Sequence, residues 1–154
     1  MGRVRNSVHI DAPPEIAWEI ARDPTRVPEW NTTVVSVKDV TGPLDLPGTT
    51  YTAVSKIVGR PLDIRWRIDR VEPARRLEAS ASAPGGGTAH MTAEYLPEGA
   101  GTTVSVVVDY ELPMGFLGDV ADKLFAERAL TRDLVHSGEN FKALVEEEAA
   151  VPTR

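Results

Sequence analysis

The segment that decides the fold is the C-terminal stretch FLGDVADKLFAERALTRDLVHSGENFKALVEEE, residues 116–148. Its apolar residues recur at the spacing of one helical face, and no other part of the chain sustains that spacing over so many turns. They are Phe116, Val120, Leu124, Leu134, Val135, Phe141 and Val145. We predict one long amphipathic helix over about 116–149, which must bury its apolar stripe against a second layer.

The chain before this helix is typical of short strands. Residues 3–10 alternate between apolar and polar side chains, and residues 33–40 are rich in β-branched side chains. Five more strands follow, separated by breaks that contain proline or glycine, at residues 49–58, 62–71, 77–83, 88–96 and 102–112. Because their connections are short, these five must be antiparallel neighbours. The sequence therefore predicts seven strands, in a curved sheet that faces the long helix.

One or two short helices are predicted between the first and second strands. The segment DAPPE, residues 11–15, places a capping carboxylate at Asp11 before prolines that suit a first helical turn. A helix that begins here must end before Pro24, and one more short turn could follow and end at Trp30.

Composition narrows the class of protein. The 154 residues carry a net charge of -6 and include no cysteine. A chain of this length fits a single domain over 1–154, and its negative charge argues against nucleic acid as a partner. The lack of cysteine excludes disulfides, thiolate nucleophiles and the usual structural zinc sites. We see no export signal and no segment suited to membrane insertion, so we expect a cytoplasmic protein.

The predicted inner face of the sheet has little side-chain volume. If the apolar side of each strand faces the helix, several inward positions on neighbouring strands are alanine or serine. The inward set is Tyr51, Ala53, Ser55, Ile57, Leu62, Ile64, Trp66, Ile68, Leu77, Ala79, Ala81, Ala89, Met91, Ala93, Tyr95, Val104, Val106, Val108 and Tyr110. Either the helix lies very close to the sheet, or a cavity remains between them. Gly138 marks where the helix can approach its neighbours most closely.

The order of these elements resembles a known superfamily. The resemblance rests on IDAPPEIAW at residues 10–18, Trp30, GTTV at residues 101–104 and the helix over 125–141. These features are similar to the SRPBCC (START-like, polyketide cyclase/dehydrase) superfamily over almost the whole chain. The resemblance implies an α+β helix-grip fold, in which a seven-stranded antiparallel sheet wraps around the C-terminal helix and a deep apolar cavity. It therefore favours the cavity over close packing. Separately, the many arginines, few lysines and frequent alanine, glycine and proline suggest a bacterial protein, and we expect no cofactor.

Ten residues are candidates for ligand binding. Most are aromatic or apolar residues on the predicted inner faces, and the two polar ones, Glu127 and Thr131, interrupt the apolar stripe of the long helix. The set is Trp30, Tyr51, Trp66, Met91, Tyr95, Tyr110, Phe116, Leu124, Glu127 and Thr131. Two alternatives stay open: the tyrosines could be ordinary core residues, and Glu127 could lie at the rim beside Lys123.

Two groups of charged or titratable residues are expected to lie on the protein surface. His9, His90 and His136 lie on outward positions and lack metal-ligand spacing, so we expect no metal. The arginines between residues 60 and 76 are interleaved with carboxylates, which predicts an outer sheet face covered by salt bridges.

Three functions remain open at this point. The first is binding of a hydrophobic or aromatic small molecule in the cavity, which needs only the pocket. The second is a polyketide aromatase/cyclase or dehydratase-type lyase or isomerase that acts without metal in the same cavity, although no catalytic residue can be assigned. The third, which the resemblance suggests, is a protein-interaction module of the quinone-chaperone or ribosome-associated type, and a stable homodimer would favour it.

Overall fold

Seven strands and three helices make up the described part of the chain, residues 2–116 and 123–151 of a computed structural model. In chain order they are β1 (Gly2–Ile10), α1 (Pro14–Ala21), a 3-10 turn (Pro24–Arg26), α2 (Val27–Trp30), β2 (Val34–Lys38), β3 (Thr50–Ile57), β4 (Arg60–Glu72), β5 (Arg76–Ala83), β6 (Gly87–Glu98), β7 (Gly101–Glu111), a second 3-10 turn (Met114–Phe116) and α3 (Lys123–Ala149).

The strands form one antiparallel sheet. Its strand order is β1-β7-β6-β5-β4-β3-β2, and every neighbouring pair is antiparallel. Strands β2 to β7 are therefore neighbours in chain order, which confirms the prediction made for β3 to β7, and β1 returns to pair with β7. The predicted helix-grip fold, a seven-stranded sheet with a long C-terminal helix and short helices after β1, is confirmed.

The C-terminal half of α3 lies along β1. A Cβ atom at Gly138 would stand 2.7 Å from Asn6 Nδ2, so the helix comes very close to the strand there. Further along, Lys142 Nζ donates to the His9 carbonyl oxygen at 2.8 Å, and Glu146 Oε2 accepts from the Asp11 backbone N–H at 2.8 Å. The close approach predicted at Gly138 is confirmed.

The beginnings of two helices differ from the prediction. Phe116 lies in the second 3-10 turn, whereas the helix described by the structure begins at Lys123, and Val120 lies outside the described residues. The N-cap residue of α1 is Pro13, and no side chain caps this helix. The predicted capping role of Asp11 is wrong because Asp11 precedes the N-cap position by two residues, beyond the reach of a capping bond.

The buried face of α3 differs from the predicted stripe. Phe141 and Val145 are buried as predicted, but in the first turns Ala126 and Ala129 are buried while Leu124 is 52% exposed. Together with Ser137, these buried residues recur at intervals of three, four or eight, so they share one helical face. The prediction followed the large apolar residues and therefore placed the stripe on a neighbouring face.

Ion pairs cover the outer face of the sheet. Arg67 Nε lies 3.0 Å from Asp69 Oδ1, and Arg76 pairs with Glu78 on its own strand at 3.3 Å and with Glu94 on β6 at 3.4 Å. The predicted outer face with alternating charges is confirmed. Exposed pairs of this kind add little stability, so the fold depends mainly on the inner face.

Candidate ligand-binding site

A cavity separates the inner face of the sheet from α3. Its volume is about 290 Å³, close to the lower end of the roughly 300–1,000 Å³ typical of small-molecule sites. Strands β3 to β7 supply most of the wall, and β1, β2, the two short helices, nearby loop residues and the middle of α3 supply the rest. Every inward position predicted on β3 to β7 lines this cavity except Ala53, which is buried elsewhere. The predicted strand parity is therefore confirmed.

Small residues on the central strands leave the space open. One row of paired residues crosses the sheet from Tyr51 through Trp66, Ala81 and Ala89 to Tyr110. Aromatic side chains stand at both ends of this row and two alanines stand in its middle, on β5 and β6. Ala79 and Ala93 on the same two strands also line the cavity. We name these four alanines, Ala79, Ala81, Ala89 and Ala93, the alanine floor.

Six of the ten predicted ligand-binding residues meet at the cavity. They are Trp30, Tyr51, Trp66, Met91, Tyr95 and Tyr110. The indole of Trp30 packs edge-on against the Phe141 ring, with 5.2 Å between the ring centroids, and so joins α2 to α3. The Trp18 ring of α1 packs in the same way against Tyr95 at 5.2 Å. Contact between these six residues and a ligand stays a prediction.

The other four predicted residues do not line the cavity. Phe116 is buried under the Arg60 guanidinium, whose Cζ atom lies 5.2 Å from the ring centroid. Leu124 and Glu127 are exposed, and Thr131 is only partly buried. The expectation that Glu127 points toward the inside is wrong, because the buried face of α3 is turned away from it in these first turns. The alternative position at the rim fits the structure, since the Glu127 charge acts on Tyr110.

Tyr110 marks this rim. Its side chain is half-buried. Burial, and to a smaller extent the negative charge of Glu127, raises the pKa of its hydroxyl. Glu127 therefore acts on the edge of the site through its charge, without lining the cavity itself.

Sequence reasoning missed a carboxylate in the cavity wall. Asp133 on α3 lines the cavity, with 24% of its side chain exposed. Burial raises the pKa of this carboxyl, and the nearby charges of Arg132 and His136 oppose the rise. Asp133 lies four positions after Ala129 and four before Ser137, both of them buried, so a stripe of small buried residues would have indicated it. The group can hold or release a proton beside a bound molecule.

The loop after α2 closes one side of the cavity against α3. The Thr32 backbone N–H donates to Ser137 Oγ at 3.0 Å, and Asn140 Nδ2 donates to the Trp30 carbonyl oxygen at 3.4 Å. Asn31 and Ser137 both contribute to the cavity wall. These bonds fix the position of Trp30 relative to the helix.

Replacing Asp133 by asparagine is expected to raise the melting temperature at pH 7 but not near pH 3.5. Because the pKa is raised by folding, the native state binds the proton more tightly than the unfolded chain. The carboxyl therefore lowers stability progressively as the pH rises above its ordinary value of roughly 3.9 and through the raised native value. Thermal melts of both proteins across this range check the sign. An equal difference at all pH values would contradict it.

Other kinds of site find little support in the described residues. No group of three or more His, Asp or Glu side chains there is arranged to hold a metal ion. His9, His90 and His136 are exposed, as predicted. Among the described helices, none is long and apolar enough to span a membrane.

Comparison with known proteins identifies the family. The chain belongs to the polyketide cyclase/dehydrase and lipid transport family, whose model matches residues 1–146. This assignment agrees with the helix-grip fold and with the cavity between sheet and helix. The chain thus has the ligand-binding fold that START and polyketide cyclase proteins share.

Individual relatives extend the comparison. Toxin Rv0910 of Mycobacterium tuberculosis is 28% identical over 141 residues, which cover 92% of this chain and 96% of that protein. The structure of TTHA0849 from Thermus thermophilus has a TM-score of 0.78 at 22% identity and covers 97% of this chain and 100% of that one. The Zhui aromatase/cyclase from a Streptomyces species has a TM-score of 0.77 at 17% identity, with 96% and 94% covered. At these identities the two structures show a common fold.

Proposed function

We propose that this protein binds a hydrophobic or aromatic small molecule in the cavity between the curved sheet and α3. The observation that carries the proposal is the alanine floor, which leaves a largely apolar space of about 290 Å³ inside a folded domain. Leaving such a space unfilled costs stability, at roughly 24 cal/mol for each Å³ in measured cases. A ligand that fills the cavity recovers part of that cost.

The composition of the wall supports an apolar ligand. Trp66, Met91 and the valines of β7 face the space together with the alanine floor. Polar side chains are a minority of the wall, among them Ser55, Asn31 and Asp133. A mainly apolar wall with a small number of polar groups is the usual form of a site for a small organic molecule.

Native mass spectrometry combined with a thermal-shift screen tests this proposal. We expect either a bound molecule that is released on denaturation, or a rise in melting temperature with aromatic or lipid-like compounds, because a ligand that binds only the native state stabilises it. No co-purified molecule together with no stabilising compound in the screen would contradict the proposal. Glucose and glutamate serve as polar control compounds and should leave the melting temperature unchanged.

A second candidate, an enzyme of the cyclase or dehydratase type, is favoured by Asp133. A carboxyl in an apolar wall, with its pKa raised by burial, can take a proton from a bound keto compound or return one when water is lost. If a compound from the screen is converted, we expect Asp133→Asn to remove turnover while leaving its binding within a few-fold. Binding without conversion of any compound would favour the carrier function.

A further inference from the structure

We propose that the ligand carries oxygen atoms, as a phenol or ketone does, and that these pair with the hydroxyls of Tyr51 and Tyr95. This inference rests on the proposed function, since it concerns the same cavity. It narrows the ligand from any hydrophobic molecule to an oxygenated one.

The two tyrosines are buried polar groups in an apolar wall. Tyr51 is 8% exposed and Tyr95 is 4% exposed, and both line the cavity. Burial alone raises the pKa of each hydroxyl, with no contribution from a hydrogen bond or a neighbouring charge. Among the residues that the structure describes, neither hydroxyl has a hydrogen-bond partner.

A third hydrogen-bond donor in the cavity wall also lacks a partner among the described residues. The Nε1 atom of Trp30 is buried and has no hydrogen-bond partner among the described residues, although the residue lines the cavity. An indole N–H only donates, so it requires an acceptor such as a carbonyl or hydroxyl oxygen. Most buried polar groups in proteins are paired, which makes several unpaired groups around one cavity informative.

The hydrogen-bond energy of these three groups favours an oxygenated ligand over a purely apolar one. In the unliganded protein, water that enters the cavity can bond to these groups. A ligand that displaces this water without replacing its hydrogen bonds loses affinity, whereas one with oxygens in the right places keeps them. Tyr51 and Tyr95 lie on strands separated by β4 and β5, so a ligand that reaches both must bear oxygens at separate positions.

Calorimetric titration with two matched probes, naphthalene and 2-naphthol, tests the inference. We expect 2-naphthol to bind roughly five- to tenfold more tightly to the native protein, the size of one net hydrogen bond. In Tyr51→Phe and Tyr95→Phe, which keep the apolar ring, at least one variant should reduce this preference. The affinity of that variant for naphthalene should equal that of the native protein. Ser36→Ala on the edge strand β2 removes an exposed hydroxyl that does not line the cavity and should keep the preference.

The outcomes separate this inference from the proposed function. If both probes bind equally and neither tyrosine variant changes their ratio, the inference is wrong and the hydrophobic site stands. If neither probe binds, the inference is wrong, and native mass spectrometry with the thermal-shift screen decides separately whether the hydrophobic site stands. An equal loss of both probes in a tyrosine variant would indicate a structural role and would contradict the inference.

Discussion

Replacing Phe141 by alanine is expected to lower the free energy of unfolding by roughly 3–5 kcal/mol. The Phe141 side chain is 5% exposed, packs against the Trp30 ring at 5.2 Å and lines the cavity. Truncation removes the contact that joins α2 to α3 and enlarges a space that is already present. Urea unfolding measures the change, with Glu139→Ala on the exposed face of the same helix as the matched control.

The same experiment tests how α3 is held. A loss below about 1 kcal/mol, similar to that of an exposed substitution, would contradict the packing described here. It would mean that the polar bonds of Lys142 and Glu146 to β1 and the loop after it keep the helix in place without the aromatic contact.

Replacing Ala81 by phenylalanine is expected to weaken ligand binding more than about a hundredfold while the protein stays folded. Ala81 is 8% exposed, and it lies in the middle of the row between Trp66 and Ala89. A ring placed there enters the cavity. Inserting bulk into a filled core costs about 1–3 kcal/mol, but here space is available. A hundredfold loss corresponds to about 2.8 kcal/mol of binding free energy.

A compound from the thermal-shift screen serves as the probe for this variant. Ala143→Phe introduces the same ring on the exposed face of α3 and should bind the probe as the native protein does. Unchanged binding in folded Ala81→Phe would place the ligand outside the cavity.

The strands could be predicted from sequence because their side-chain period is two. Once one apolar residue of a strand is assigned to the inner face, the others follow, and nearly every residue from Tyr51 to Tyr110 that this rule placed inward lines the cavity. Short connections likewise determined the antiparallel order of β3 to β7. The space above the alanine floor followed from side-chain volume together with the resemblance to the superfamily.

The long helix was harder to predict because several of its buried residues are alanine or serine, so the large apolar residues placed the stripe on a neighbouring face. The stripe was correct at Phe141 and Val145, where α3 follows β1, and wrong at Leu124 and Glu127. That error hid Asp133, whose polar side chain carries no apolar signal. The unpaired state of Tyr51 and Tyr95 depends on which groups surround each hydroxyl, and a single sequence does not contain that information.

A crystal structure of the protein soaked with 4-bromophenol tests the central claim most directly, because anomalous scattering locates the bromine atom. The probe joins an aromatic ring to one hydroxyl and is smaller than a cavity of about 290 Å³. We predict a bromine peak between α3 and the alanine floor. Bromine peaks confined to the outer surface, with the side chains of Tyr51 and Trp66 filling the interior, would contradict the account.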